Sequence, residues 1–124
     1  GICNLEEARD SVLQHKSNSL NIIDNVKNDN FILPPWDTQC SYWLFSMHVN
    51  NGRKTEFIEY LEQKGISSSP VHFRNDLYEC TKDFKEGELP GTTQFTDTQI
   101  CIPNGWWLTT DDLNYIIDSL NEFE

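Results

Sequence analysis

Six consecutive residues, Val71-His72-Phe73-Arg74-Asn75-Asp76, bring together side chains able to do chemistry. His72 can exchange a proton near neutral pH. Arg74 offers a planar fork that clamps a phosphate, and Asn75 and Asp76 add two hydrogen-bonding groups. The run follows a stretch that reads as a strand, and a strand-to-loop junction suits a ligand site. The same residues also have a purely structural reading, in which Asn75-Asp76 turns the chain and Arg74 pairs with a surface acid. Composition alone supports both readings.

A second feature is Gly105-Trp106-Trp107-Leu108, whose rings could wall a site for a sugar or a base. Two tryptophans beside a helix more often plug a core or form a docking surface, and that is the reading preferred here. His15 and His48 have no partner motif and are given no role. Cys3, Cys40, Cys80 and Cys101 form no C-x-x-C pair and have no histidine at ligand spacing, so no structural zinc site or metal ligand is expected. They read as reduced thiols, because a chain with this many core formers does not need disulfides; the alternative that the even count allows is two disulfides. Glycine-rich phosphate loops, a Walker lysine, a G-x-S-x-G elbow and an H-E-x-x-H helix are all absent from the sequence. A self-contained enzyme of a common type is therefore disfavoured.

The elements that would hold these residues follow from periodicity. Leu5, Ala8 and Val12 recur at helical spacing behind an Asn4/Glu7 capping-box-like start. This helix is expected to reach about Ser17, and Leu20, Ile23 and Val26 extend it beyond a break at Ser17-Asn18-Ser19. Asn28-Asp29-Asn30 and Pro34-Pro35 end the pattern. Trp43, Phe45, Met47 and Val49 alternate with Ser46 and His48 and predict a strand over Tyr42–Val49. Phe57, Ile58 and Leu61 mark a helix ending near Lys64, with Gly65 as its left-handed cap. Ile66 to Phe73 reads as a second strand, at an edge or bulged because of Pro70. Lys82 to Asp97 reads as a surface loop, and Thr98 to Ile102 as a third short strand. Thr109 and Asp112 open a last helix with an apolar stripe of Leu113, Ile116, Ile117 and Leu120.

This order predicts a single α/β domain of the α+β type. It would have two layers, with a small mixed or antiparallel sheet of about three strands covered by helices on one side. The other sheet face is expected to be partly bare. Residues 1–29 form a helical linking segment and residues 30–124 the domain proper. Nine Lys and Arg against twenty Asp and Glu give a net charge of −11, which disfavours nucleic acid and anionic lipid as partners. The apolar stretches are far shorter than the roughly 20 residues that span a bilayer, so no membrane segment is expected. The amino terminus lacks the features of a secretory signal, which points to a cytoplasmic address.

At its chemically equipped residues the chain resembles the carboxy-terminal small domain of the DegT/DnrJ/StrS family of sugar-nucleotide aminotransferases, which depend on pyridoxal phosphate. The resemblance rests on Ser41-Tyr42-Trp43-Leu44-Phe45, Leu61-Glu62-Gln63-Lys64-Gly65-Ile66, and His72-Phe73 followed by Arg74-Asn75-Asp76. It continues through Leu89-Pro90, Cys101-Ile102-Pro103 and Leu108-Thr109. It implies transfer of an amino group to a keto-sugar nucleotide at a dimer interface, with His72 and Phe73 near the sugar and Arg74, Asn75 and Asp76 as further substrate contacts. In the family, the cofactor's lysine lies in an S-x-x-K context in the large domain. No lysine here has that context, so no cofactor-binding or catalytic residue is expected in this chain. The implied partners are a large-domain chain or a second copy, and a nucleotide sugar. The leading expectation is the small domain of such an enzyme, inactive alone. The alternatives are a free-standing, non-catalytic sugar-nucleotide-binding module and a purely structural domain dimerising through its bare sheet face and Trp106-Trp107.

Overall fold

The computed structural model describes residues 2–84 and 86–124, less the side chains of residues 2, 3 and 6. Helix α1 (Ile2–Asn25) is already under way at Asn4, so the Asn4/Glu7 pair is not its start. It also runs unbroken through Ser17-Asn18-Ser19. These residues read as breakers because short polar side chains compete for the backbone. Here Asn18 and Ser19 are buried and turned outward from the helix to tertiary partners. Asn18 Nδ2 donates to the Gly105 carbonyl at 3.0 Å, and Ser19 Oγ lies 2.9 Å from Asn104 Nδ2.

The sheet contains β1 (Phe31–Ile32), β2 (Phe45–Val49) and β3 (Gln99–Ile102) in that spatial order, both pairings antiparallel. Phe31 faces Val49 across the first pair, and Phe45 faces Ile102 across the second. The domain is α+β with a small antiparallel sheet, as expected, but its strands are not all the expected ones. β1 is too short to show alternation. The Tyr42–Val49 strand begins only at Phe45, because Tyr42 turns the backbone with φ +51°. Trp43 is 66% exposed and leaves the buried face. The strand expected over Ile66–Phe73 shrinks to one bridge, where Ser69 exchanges backbone hydrogen bonds with Cys101 at 3.1 and 2.8 Å. Pro70 follows it and has no N–H to continue the ladder.

Helix α2 (Lys54–Gln63) ends at Lys64, and Gly65 takes φ +72°, as its position predicts. The expected loop over Lys82–Asp97 instead holds a single 3₁₀ turn at Lys82–Phe84 and helix α3 (Pro90–Thr98). Proline suits the first helical turn, where its missing N–H costs nothing. No residue of α3 is buried, so the helix lacked the apolar stripe that reveals helices in sequence. Helix α4 (Thr110–Glu122) carries the expected capping box, with Thr109 N donating to Asp112 Oδ2 at 2.9 Å and Asp112 N to Thr109 Oγ1 at 3.1 Å.

Phe45, Met47 and Val49 of β2 point to the same side and meet Ile22 and Val26 of α1, Phe57 and Leu61 of α2, and the buried stripe of α4. Phe31, Phe57 and Phe123 close one end, with ring centroids 4.7 and 5.0 Å from Phe57. The opposite sheet face carries Ser46, His48, Gln99 and Cys101 and is partly covered by α3, whose Phe95 ring stands edge-on to His48 at 5.3 Å. Cys40, Cys80 and Cys101 are free thiols; the expectation for Cys3 lies outside the described residues. No helix among the described residues is long and apolar enough to cross a membrane.

The α4 cap makes a pH prediction. The Thr109 hydroxyl, followed by the Thr109 backbone N–H, holds the Asp112 carboxyl below the usual aspartate range. Stability from a depressed carboxylate is fully present above its unfolded value of about 4 and is lost as pH falls through the lower folded value. Asp112→Asn should therefore flatten the acid limb of a plot of urea midpoint against pH. An unchanged acid limb would contradict this assignment.

The groove between the His72 loop and helix α3

The site starts from a pin on β3. Gln99 is buried, and its Oε1 accepts from Val71 N at 3.0 Å while its Nε2 donates to Ser46 Oγ at 2.9 Å. One side chain thus fixes where the chain leaves the sheet. Beyond it His72 and Phe73 are exposed, and Asn75–Leu77 makes a single 3₁₀ turn. The Phe73 ring meets Tyr78 at 5.1 Å, and the Thr81 hydroxyl donates to the Asn75 carbonyl.

Arg74 organises the turn. Its Nε donates to Asp76 Oδ1 at 2.9 Å and its Nη2 to Asp76 Oδ2 at 2.7 Å, a bidentate fork. Its Nη1 reaches across to Thr93 Oγ1 of α3 at 2.8 Å. The two charged side chains are only 13% and 10% exposed. The hydrogen bonds that Arg74 donates to Asp76 push the guanidinium's pKa up against the opposing cost of burial, and the charges of Asp76, Asp97 and Glu88 add to the effect. The pairing of Arg74 with an acid, one of the two readings of the sequence, is therefore present. Among the described residues three of its five N–H groups are used.

All five predicted site residues, His72, Phe73, Arg74, Asn75 and Asp76, line a single groove of about 410 Å³. Its far wall is Leu89 with Thr92, Phe95 and Thr96 of α3, which the sequence reading left in a loop. That wall is tied to the core by Lys54, whose Nζ donates to the Thr96 carbonyl at 2.6 Å. Burial lowers the pKa of this ammonium, opposed by the charge of Asp97. The groove joins an imidazole, two phenyl rings, a braced ion pair and two threonine side chains, a set suited to a ligand with hydroxyls and a ring face.

The other features do not line this groove. His48 Nδ1 is 2.8 Å from Thr98 Oγ1 on the second sheet face. His15 bonds the Ser11 carbonyl within α1. Trp106 and Trp107 are 64% and 59% exposed, so they do not plug the core. Among the described residues no group of three His, Cys, Asp or Glu side chains could hold a metal ion.

The sequence profile of the DegT/DnrJ/EryC1/StrS aminotransferase family matches residues 3–121. The chain belongs to this family. A sugar aminotransferase from Micromonospora echinospora superposes with a TM-score of 0.87 at 26% identity, covering 98% of this chain and 33% of that protein. A relative from Actinomadura melliaura gives 0.89 at 23% identity, covering 100% and 33%. The Helicobacter pylori aminotransferase involved in the biosynthesis of pseudoaminic acid gives 0.86 at 19%, covering 97% and 34%. This family member therefore spans about one third of the length of its solved relatives. No functionally curated protein matches it in sequence.

Proposed function

We propose that this chain is the small-domain part of a pyridoxal-phosphate-dependent sugar-nucleotide aminotransferase, and that its groove faces the keto-sugar nucleotide. The observation that carries the proposal is the convergence of His72, Phe73, Arg74, Asn75 and Asp76 on one groove opposite α3, in a chain of an aminotransferase family. His72 and Phe73 present an imidazole and a ring face to the sugar. Asn75 and the remaining N–H groups of Arg74 donate to its oxygens, and the Arg74–Asp76 fork keeps the loop in shape. Free thiols exposed at Cys40 and Cys80 suit a reducing, cytoplasmic setting.

The residues present do not fit the cofactor itself. Its reactive lysine needs a free amine within the site. Among the described residues no lysine lines the groove; Lys16 and Lys54 are engaged by backbone carbonyls, and Lys64 and Lys82 by glutamates. The groove's cation, Arg74, cannot form an imine with the cofactor. The chain therefore supplies substrate contacts, and the lysine chemistry belongs to residues of the family outside these. The chain alone, mixed with pyridoxal phosphate and reduced with borohydride, should give only the scattered adducts of surface lysines. A single, stoichiometric pyridoxyl-lysine located by mass spectrometry would overturn this division of labour.

A further inference from the structure

The far wall of the groove has almost nothing under it. No residue of α3 is buried, and only Thr96 and Thr98 are even half-buried. Apolar packing therefore does not fix where this helix stands, and the work falls to polar hooks. Three are present among the described residues. Arg74 Nη1 donates to Thr93 Oγ1 at 2.8 Å, His48 Nδ1 lies 2.8 Å from Thr98 Oγ1, and Lys54 Nζ donates to the Thr96 carbonyl at 2.6 Å. The hooks differ in what they join. Arg74 ties the two walls of the groove to each other, whereas Lys54 ties the α3 wall to α2, whose Phe57 and Leu61 are buried in the core.

Lys54 gains nothing from its own helix. It is the first residue of α2, where the free backbone N–H groups carry the positive end of the helix dipole and a cation is unfavourable. It is also half-buried, which penalises the ammonium and lowers its pKa. What offsets both costs lies on α3. The last carbonyls of a helix have no intrahelical N–H. The Gln99 N–H closes on the Phe95 carbonyl, and Thr96 is the next one out. The Lys54 ammonium caps it, at the end of α3 where the dipole favours a cation, and the charge of Asp97 adds to the attraction. Thr96 is itself a groove residue, on one flank of α3 with Thr92 and Phe95, while Lys54 does not line the groove.

We infer that Lys54 is a positioning residue for the sugar site: its ammonium caps the last turn of α3 and so sets the separation of the α3 wall from the wall of His72 to Asp76. The inference rests on reading the groove as the sugar site, but the hold on α3 has a readout that needs no ligand.

The test compares the chain with Lys54→Met, which keeps the aliphatic stem and removes the ammonium, and with Lys54→Arg, which keeps a charged donor. UDP-glucose and dTDP-glucose are the probes, followed by calorimetric titration, with amide hydrogen exchange and urea unfolding run on the same proteins. Lys54→Met should lose about tenfold in affinity, the scale of one hydrogen bond from a charged group. Its α3 amides should exchange about tenfold faster, while the β2, β3 and α4 amides and the urea midpoint stay unchanged. Lys54→Arg should recover most of both effects. Unchanged α3 exchange in Lys54→Met would overturn the inference, and so would faster α3 exchange with undiminished affinity. A urea midpoint that falls with the affinity, with β2 and β3 exchanging faster as well, would overturn it by making Lys54 a stability residue. Failure of the unsubstituted chain to bind either probe would instead remove the sugar reading, and the α3 exchange would still decide whether Lys54 holds the wall.

Discussion

Arg74→Ala should weaken nucleotide-sugar binding up to about a hundredfold while leaving the core folded, the scale of losing hydrogen bonds to a charged group. Arg74 bonds Asp76 within the turn and Thr93 across the groove, so it fixes both walls at once. Its removal would take from Asp76, 10% exposed, the two parallel bonds of the fork, and would loosen the turn that they brace. Arg74→Lys should recover only part of the loss, because an ammonium cannot make the two parallel bonds of the fork. Calorimetric titration with nucleotide sugars, alongside thermal melts, separates positioning from folding. An affinity unchanged in Arg74→Ala would show that the fork is a surface ornament of the loop. A melting temperature that falls as far as the affinity would make Arg74 a stability residue.

Asn104→Ala should destabilise the domain by about 3 kcal/mol, the upper end of the cost of stranding buried hydrogen-bonding groups. Asn104 is 5% exposed, and its Nδ2 faces three acceptors: the Tyr42 carbonyl at 2.6 Å, Ser19 Oγ at 2.9 Å and the His15 carbonyl at 3.3 Å. These belong to α1 and to the turn that enters β2, so one amide fastens α1 to the sheet. Asn104 Oδ1 has no partner among the described residues, which makes the site polar on one side only. Asn104→Asp should be as harmful as the alanine, because a carboxylate would face the Tyr42 and His15 carbonyls with acceptors. Urea denaturation measures both, and a loss below about 1 kcal/mol in either would contradict the clamp.

The contrast between Asn104 and α4 shows what was legible in the sequence. Leu113, Ile116, Ile117 and Leu120 announced α4 because burial and helical period coincide, and the Thr109/Asp112 cap is a local signal. Gly65 was readable for the same reason, since a left-handed cap is decided by its own turn. Asn18, Ser19 and Asn104 were not readable, because their worth lies in partners 62 to 89 residues away. Helix α3 stayed hidden because it buries nothing, and β1 because two residues cannot alternate. Of the groove, the wall from His72 to Asp76 was legible as a concentration of chemistry. The wall of Leu89, Thr92, Phe95 and Thr96 was not, because small hydroxyls and a half-exposed ring look like any surface.

The sequence left the tryptophan pair as an aromatic wall, a core plug or a docking surface. Their exposures of 64% and 59% remove the plug. The seat of the Trp107 ring over Gly105 and its contact with His15 set the pair beside the half-buried middle of α1.

The most direct measurement of the central claim is a two-dimensional amide spectrum of the chain titrated with a panel of nucleotide sugars. Saturable shifts should gather on residues 72–76 and on Thr92, Phe95 and Thr96, and should vanish in Arg74→Ala. Absence of shifts with every nucleotide sugar, or shifts confined to the slot between Trp43 and Trp107, would contradict the assignment of the groove to the sugar.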